Sequence, residues 1–290
     1  MPIFVIACLY LHYTAAMTIF GAAAFRLLTP GADAAPIDGI LRRLLAADWI
    51  LALISALVLV MANAGSMGGS WGDAIDPGTI GAVITDTSFG HVWQAHLGVI
   101  LLAGLALWTT PLARPWFAAA AILMLASLAF IGHAAMVEGP AGDLRRANQA
   151  IHLLAGGAWI GGLIPLLLTL RALRPRPLAA AALLHRFSLY GTFALALVLV
   201  SGAINAALLV GTANGLLTSL YGRTLLLKLL LVVLMVAIAY RNRFQLTPRL
   251  APDPERIGRR LYRSIAIEIA VGLGIILVAS ALGTFPPPNA

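Results

Sequence analysis

IHLLAGGAWIGGLIPL, residues 151–166, is a long apolar run that carries one histidine and four glycines. Such a run forms a helix in lipid, because hydrocarbon offers the backbone no other hydrogen-bond partners. Gly157 and Gly161 lie four residues apart, a spacing that lets the backbone of a second helix approach closely. The segment therefore predicts a membrane-spanning helix in the middle of a bundle, with His152 facing protein rather than lipid.

The whole chain shares the apolar composition of this segment. Of its 290 residues, 61% are hydrophobic and only 10% are charged, whereas soluble domains have about 25% charged residues. The long apolar runs predict eight spans, at about residues 2–28, 44–64, 92–110, 115–136, 148–170, 185–210, 224–242 and 261–284. None of these runs alternates as a barrel strand does. We therefore expect an all-α polytopic membrane helix bundle that forms a single transmembrane domain over residues 1–290.

The basic residues predict the orientation of this bundle. The net charge of +8 would suggest a nucleic-acid partner for a soluble protein. In a chain with eight spans, however, all Lys and Arg residues fall on one side except Arg145, Arg146, Arg223 and Lys228. The side rich in basic residues is cytoplasmic by the positive-inside rule. Both termini are therefore predicted to be periplasmic, and no nucleic-acid partner is expected.

The histidines are the main candidates for chemistry, because ionisable side chains inside spans are costly and commonly functional. Five of them lie in the predicted outer half of the protein, namely His12, His91, His96, His133 and His152. From the helical rise, His96, His133 and His152 are expected roughly 5 Å below the outer boundary, and His12 roughly 15 Å below it. Three imidazoles at one depth on three helices predict a shared metal or cofactor site.

Met136 adds a second type of candidate ligand to this group. It follows His133 by three residues and therefore lies on nearly the same helical face. Imidazole binds several transition metals, whereas a thioether selects soft Cu(I), so the mixture favours copper. The predicted metal ligands are His96, His133, His152 and Met136, with His12 and His91 as further candidates.

Two other interpretations of the histidines stay open. Paired histidines near one membrane face also fit the axial ligands of a b-type haem, with His152 paired to His133 or to His96. Alternatively, the histidines serve only the packing of helices in an assembly factor. The sequence has no nucleophile with an organised base and no phosphate-binding loop, so no enzyme activity is predicted.

Three further polar residues lie within the predicted spans. Glu268 either pairs with a basic residue of the cytoplasmic rim or relays a proton or a cation. Asn205 is expected to bridge two helices. Lys228 is expected to extend outward to the interface, with a relay role as the alternative.

Five segments in the C-terminal half form an ordered series. They are GHAAMVEGP at 132–140, IHLLAGGAWIGGLIPL at 151–166, SGAINAALLVG at 201–211, SLYGRTLLLKLLLVVLMVAIAYRNR at 219–243 and IEIAVGLGIILVASALGTFPP at 267–287. This series resembles the CopD family of bacterial inner-membrane copper proteins, over about residues 127–287. The resemblance implies copper homeostasis, with His133 and His152 as the family-like histidines and a separate periplasmic carrier of the CopC type as a partner.

Together, the residues and the resemblance predict a copper protein embedded in the lipid bilayer of the bacterial inner membrane. We expect it to bind Cu(I) or Cu(II) at a periplasm-facing site of His and Met residues and to import the ion. A protein that hands copper to a partner without translocation is one alternative. A redox protein that binds haem b is the other.

Overall fold

A computed structural model describes residues 2–29, 31–132 and 137–288, and within these ranges the chain forms helices and no strand. Short helical turns, Gly31–Ala34 and Ala35–Ile37, join the first two long helices. The main helices are α1 (Pro2–Leu28), α2 (Asp38–Gly68), α3 (Pro77–Asp86), α4 (Ser88–Thr109), α5 (Pro115–Ala126), α6 (Gly139–Ala172), α7 (Pro177–Val210), α8 (Ala213–Thr218), α9 (Leu220–Arg241) and α10 (Pro254–Leu282).

Within the described ranges, seven helical stretches are long and apolar enough to cross a membrane. They include α1, α2, α4, α6, α7, α9 and α10. The predicted span at 115–136 corresponds to a shorter apolar helical run, Pro115–Phe130, and residues 133–136 lie outside the described part. The helical polytopic bundle is thus confirmed. The count of eight spans and the periplasmic termini stay predictions.

Small polar residues begin several of these helices. Asp76 precedes α3 and accepts a hydrogen bond from the Thr79 backbone N–H, at 2.7 Å. This N–H group lowers the pKa of Asp76, because it stabilises the carboxylate. Thr87 begins α4 in the same way, by accepting a hydrogen bond from the Gly90 N–H at 2.9 Å. The start of α4 is therefore set at Ser88, four residues before the predicted start of that span.

Helix α1 lies at the centre of the bundle and packs against α2, α5, α6 and α10. Its contact with α6 brings two backbones together at Gly21 and Gly161. A Cβ atom at Gly161 would overlap the carbonyl oxygen of Met17, and one at Gly21 would overlap the backbone of Gly161. The close helix approach predicted from the glycines of residues 151–166 is confirmed, with α1 as the partner.

The buried side chains form two large apolar clusters on either side of the α1–α6 contact. The first joins α1, α2, α4 and α5. The second joins α6, α7, α9 and α10. At one end of α1, the ion pair of Arg26 and Asp38 ties α1 to α2, with nitrogen–oxygen distances of 2.7 and 3.0 Å. These two clusters define two halves of the molecule. Of the histidines described below, His12 and His96 lie on helices of the first half, and His152 lies on a helix of the second.

Candidate functional site

His12 of α1 and His96 of α4 face each other in the first apolar cluster. Their Nε2 atoms are 2.9 Å apart, and both side chains are fully buried, at 0% exposure. The two rings meet edge to face, with centroids 5.0 Å apart. Buried polar groups need partners in the protein interior. The pair therefore satisfies one nitrogen of each ring, and the other two nitrogens need partners elsewhere.

The partners of His12 fix which of its nitrogens carries the proton. Its Nδ1 lies 3.2 Å from the Ala52 carbonyl oxygen and 2.9 Å from the Ser55 hydroxyl. A carbonyl oxygen only accepts, so His12 Nδ1 carries a hydrogen and donates it. The hydroxyl of Ser55 in turn donates to the Leu51 carbonyl, at 2.6 Å. The neutral His12 ring therefore presents a bare Nε2 lone pair to His96.

His96 is held in a way that allows both of its neutral forms. Its Nδ1 lies 2.7 Å from the Ser127 hydroxyl, which also lies 2.9 Å from the Met124 carbonyl. Because a hydroxyl both donates and accepts, Ser127 serves His96 whichever nitrogen holds the hydrogen. With His12 Nε2 bare, His96 Nε2 donates to it and Ser127 donates to His96 Nδ1.

An aromatic wall keeps water away from the pair. Trp93, only 2% exposed, lies against both rings, with centroid distances of 5.7 Å to His12 and 5.0 Å to His96. Its indole N–H donates to the Ala56 carbonyl at 2.8 Å. Trp93 also lines an apolar cavity of about 210 Å³ between α2, α3 and α4. The histidine pair is therefore enclosed, and Trp93 separates it from this cavity.

His152 of α6 belongs to a second polar cluster, in the other half of the molecule. Its Nδ1 lies 2.9 Å from the Ser201 hydroxyl on α7, and its Nε2 lies 3.4 Å from Lys228 Nζ on α9. Next to it, Asn148 donates to Asn205 Oδ1 at 2.9 Å and to the Ser201 carbonyl at 3.0 Å. Asn205 thus bridges α6 and α7, as its sequence position predicted. Lys228 reaches across to His152 rather than out to the interface.

The structure therefore joins some of the predicted site residues and separates others. His12 and His96 form a pair, whereas the described contacts of His152 are to other partners. His91 is exposed, and its Nε2 lies 2.8 Å from the Thr85 carbonyl. His133 and Met136 lie outside the described residues. The contacts that are described give no support to a haem held between His96 and His152.

The depths inferred from the sequence were wrong for one histidine. His12 was placed roughly 10 Å deeper than His96, yet their Nε2 atoms are in contact. The error arises from the start of α4, which lies at Ser88 instead of residue 92. His96 is therefore eight residues, or about 12 Å, into its helix. That depth matches the ten residues that separate His12 from the start of α1.

Glu268 of α10 is also fully enclosed. It is 3% exposed and accepts a hydrogen bond of 2.6 Å from Asn242 Nδ2. The ion pairs found in the described part of the chain do not include Glu268. The expected pairing of Glu268 with a basic residue of the cytoplasmic rim is therefore replaced by an amide partner from the segment after α9.

Sequence reasoning missed the three serines that orient the histidines. Ser55, Ser127 and Ser201 each contact the Nδ1 atom of one histidine, on a different helix. Each serine hydroxyl also lies near a backbone carbonyl three or four residues earlier in its own chain segment. Serine is common at helix contacts in membranes, so a single serine in an apolar run gives no signal of such a role.

The described side chains give two imidazoles, and no larger ligand set, at one place. Among the residues of known placement, no group of three or more His, Cys, Asp or Glu is arranged to hold a metal ion. The histidine pair nevertheless has the features of a metal site in its outer contacts, because metal-binding imidazoles normally bond their second nitrogen to a carbonyl or similar group. The fold and this pair define the class. The protein is a polytopic helical membrane protein with a buried pair of histidines, each of which contacts a serine hydroxyl through Nδ1.

Comparison with known proteins places this chain within a family. Residues 1–143 match the copper resistance protein D-like N-terminal domain, and residues 181–282 match copper resistance protein D. The inner membrane protein YebZ of Escherichia coli (strain K12) is 36% identical over 97% of this chain and 98% of its own length. The chain therefore belongs to the CopD family, and it is a copper-related, multi-pass protein of the inner membrane.

Two other relatives carry copper in their names. Copper resistance protein D of Pseudomonas syringae pv. tomato is 29% identical, over 97% of this chain and 96% of its own length. Copper transport protein CutJ of Bacillus subtilis (strain 168) is 29% identical, over 82% of this chain and 44% of its own length. No solved structure is significantly similar to the chain.

Proposed function

We propose that this protein binds a copper ion between His12 and His96 and imports it across the inner membrane. The observation that carries the proposal is the 2.9 Å contact between the two buried Nε2 atoms. The family descriptions and the names of two relatives refer to copper, and the pair is the one place where two described histidines meet. His133, Met136 and His152 stay predicted ligands, and the protein is proposed to act as a transporter without enzyme activity.

The spacing of the pair fits two nitrogen ligands of one metal ion. Imidazole nitrogens bind such metals at about 2.0 Å, so two of them on one ion lie roughly 3 to 4 Å apart. The 2.9 Å between His12 and His96 therefore needs only a small opening of the two rings. Two neutral nitrogens in a dry, aromatic-walled site suit copper better than hard cations, which prefer oxygen ligands.

The hydrogen bonds around the pair explain how a ligand lone pair becomes available on each ring. His12 already holds its hydrogen on Nδ1, where the Ala52 carbonyl accepts it. In the second neutral form of His96 the hydrogen is on Nδ1, so Nε2 carries a lone pair as well. Ser127 then turns its own hydrogen to the Met124 carbonyl and accepts from His96. Both rings are neutral in this form.

Copper uptake into vesicles that contain only this protein tests the transport step. We expect uptake above that of protein-free vesicles, and a return to that baseline when His12 and His96 are both replaced by asparagine. Uptake that the double variant leaves unchanged would rule out the proposed site. Copper binding with no uptake would instead fit the hand-off alternative, in which a periplasmic partner of the CopC type exchanges copper with the protein.

The role of Ser127 gives a second prediction. Ser127→Ala removes the hydroxyl that bonds His96 Nδ1 in either neutral form. Loss of such an outer contact typically weakens metal binding about 10- to 100-fold, and we expect a loss of this size in a copper titration of the purified protein. Ser280→Ala is the matched control, since Ser280 is also fully buried and donates to the Ile276 carbonyl at 2.8 Å. Equal affinities in the two variants would contradict the role of Ser127.

A further inference from the structure

The hydrogen bonds of His152 fix which of its nitrogens is bare. An ammonium group only donates, so Lys228 Nζ donates to His152 Nε2, at 3.4 Å. The hydrogen of the neutral ring is therefore on Nδ1 and is donated to the Ser201 hydroxyl at 2.9 Å. Ser201 passes its own hydrogen to the Leu197 carbonyl at 2.5 Å. His152 thus has the same serine-held form as His12, with a lone pair on Nε2.

The group that bonds to this lone pair is the Lys228 ammonium, which has no carboxylate partner among the residues that the structure describes. Within the described ranges, the ion pairs do not include Lys228. In these ranges, one hydrogen bond of Lys228 Nζ is described, and it is the bond to His152. A charged side chain inside a span is costly and usually marks a functional position. A leucine would fill this place on α9, between Leu227 and Leu229, without that cost.

We propose that the Lys228 ammonium is a built-in competitor for cation binding at His152. The inference rests on the proposed function, because copper is the cation that must compete. One lone pair accepts one cation, so copper reaches His152 Nε2 only after Lys228 Nζ has moved away on its flexible four-carbon chain. Lys228 therefore keeps His152 closed to copper until the metal is delivered, and returns when the metal leaves.

The surroundings of His152 make this position weaker than the His12–His96 pair. Its described side-chain partners are the Ser201 hydroxyl and Lys228. The amide of Asn148 in turn bonds to the Ser201 carbonyl and to Asn205. Hydroxyl and amide oxygens are hard ligands and add little to the binding of Cu(I). Copper at His152 is accordingly held by few ligands and opposed by a nearby charge, which suits a place where the ion is passed on rather than stored.

The test measures Cu(I) binding to purified protein in which His12 and His96 are both asparagine, so that the first site does not contribute. In this background, Lys228→Leu, which removes the charge and adds no copper ligand, is expected to raise the affinity for copper about tenfold or more. The reason is that two positive charges about 4 Å apart repel strongly in a protein environment. The probe is Cu(I) alone, measured by competition with a chromophoric chelator. Lys228→Arg, which keeps the charge, is the matched control and is expected to bind as the background does.

Two results would overturn the proposal. The first is equal affinity with lysine and with leucine at position 228. The second is a gain from Lys228→Leu that persists when His152 is also replaced by asparagine, since the copper would then be bound elsewhere. Failure of the proposed function has a different signature: with Lys228 and His152 intact, replacing His12 and His96 would leave copper binding unchanged.

Discussion

Replacing His12 and His96 together by asparagine is expected to remove the most tightly bound copper ion and to lower copper affinity by more than about 100-fold. The estimate exceeds the effect of losing one outer contact, because both ligands disappear. Of the two nitrogens of each ring, Nε2 is the one that points into the space between α1 and α4. With both removed, the enclosed site keeps no strong copper ligand among its described side chains.

Asparagine is chosen because it preserves the outer hydrogen bonds. Its side-chain amide offers an N–H to the Ala52 carbonyl at position 12, and a polar partner to Ser127 at position 96. An apolar replacement would leave these buried groups without partners and would cost stability of its own. A change in copper affinity at an unchanged melting temperature therefore reports on the ligands and not on the fold.

The same substitution at an exposed histidine is the control. His185 lies at the surface of α7, and His185→Asn is expected to leave the copper titration of the purified protein unaltered. The single variants His12→Asn and His96→Asn should each lose most of the affinity, because one imidazole alone binds weakly. Wild-type affinity in the double variant would show that copper binds elsewhere in the protein.

The sequence predicted the helices of this fold better than it predicted their neighbours. The apolar runs located the helical bundle, and Gly157 and Gly161 correctly indicated a close helix contact. Neither glycine indicated that the partner would be α1, because that contact joins residues far apart in the chain. The described helical run Pro115–Phe130 covers most of the fourth predicted span, and residues 133–136 of that prediction lie outside the described part.

The candidate site shows the same limit more sharply. Histidines in apolar runs were recognisable as unusual, which drew attention to His12, His96 and His152. Their grouping was not recognisable, because it depends on the exact start of α4 and on which faces the helices present. The serines were invisible for the same reason: Ser55 lies 43 residues from His12, and Ser201 lies 49 residues from His152.

The second large effect is expected from a substitution at the contact between α1 and α6, and it concerns the stability of the protein. Gly161→Ala is expected to destabilise the protein at the upper end of the about 1–3 kcal/mol that overpacking usually costs. The new methyl group would meet the backbone carbonyl of Met17, which belongs to a helix and cannot turn aside as a side chain would. The two helices must therefore separate along their length, and the melting temperature should fall by roughly 5–10 °C.

Two neighbouring glycines on α6 provide graded controls for this experiment. A Cβ atom at Gly157 would meet the side chains of Leu125 and Phe20, which can shift, so Gly157→Ala should cost less. A Cβ atom at Gly156 meets nothing within 4 Å, and alanine favours a helix more than glycine does. Gly156→Ala should therefore leave the melting temperature unchanged or raise it. A fall of the same size in all three variants would mean that α6 tolerates no added methyl group, and that the contact with α1 is not what holds the two halves of the molecule together.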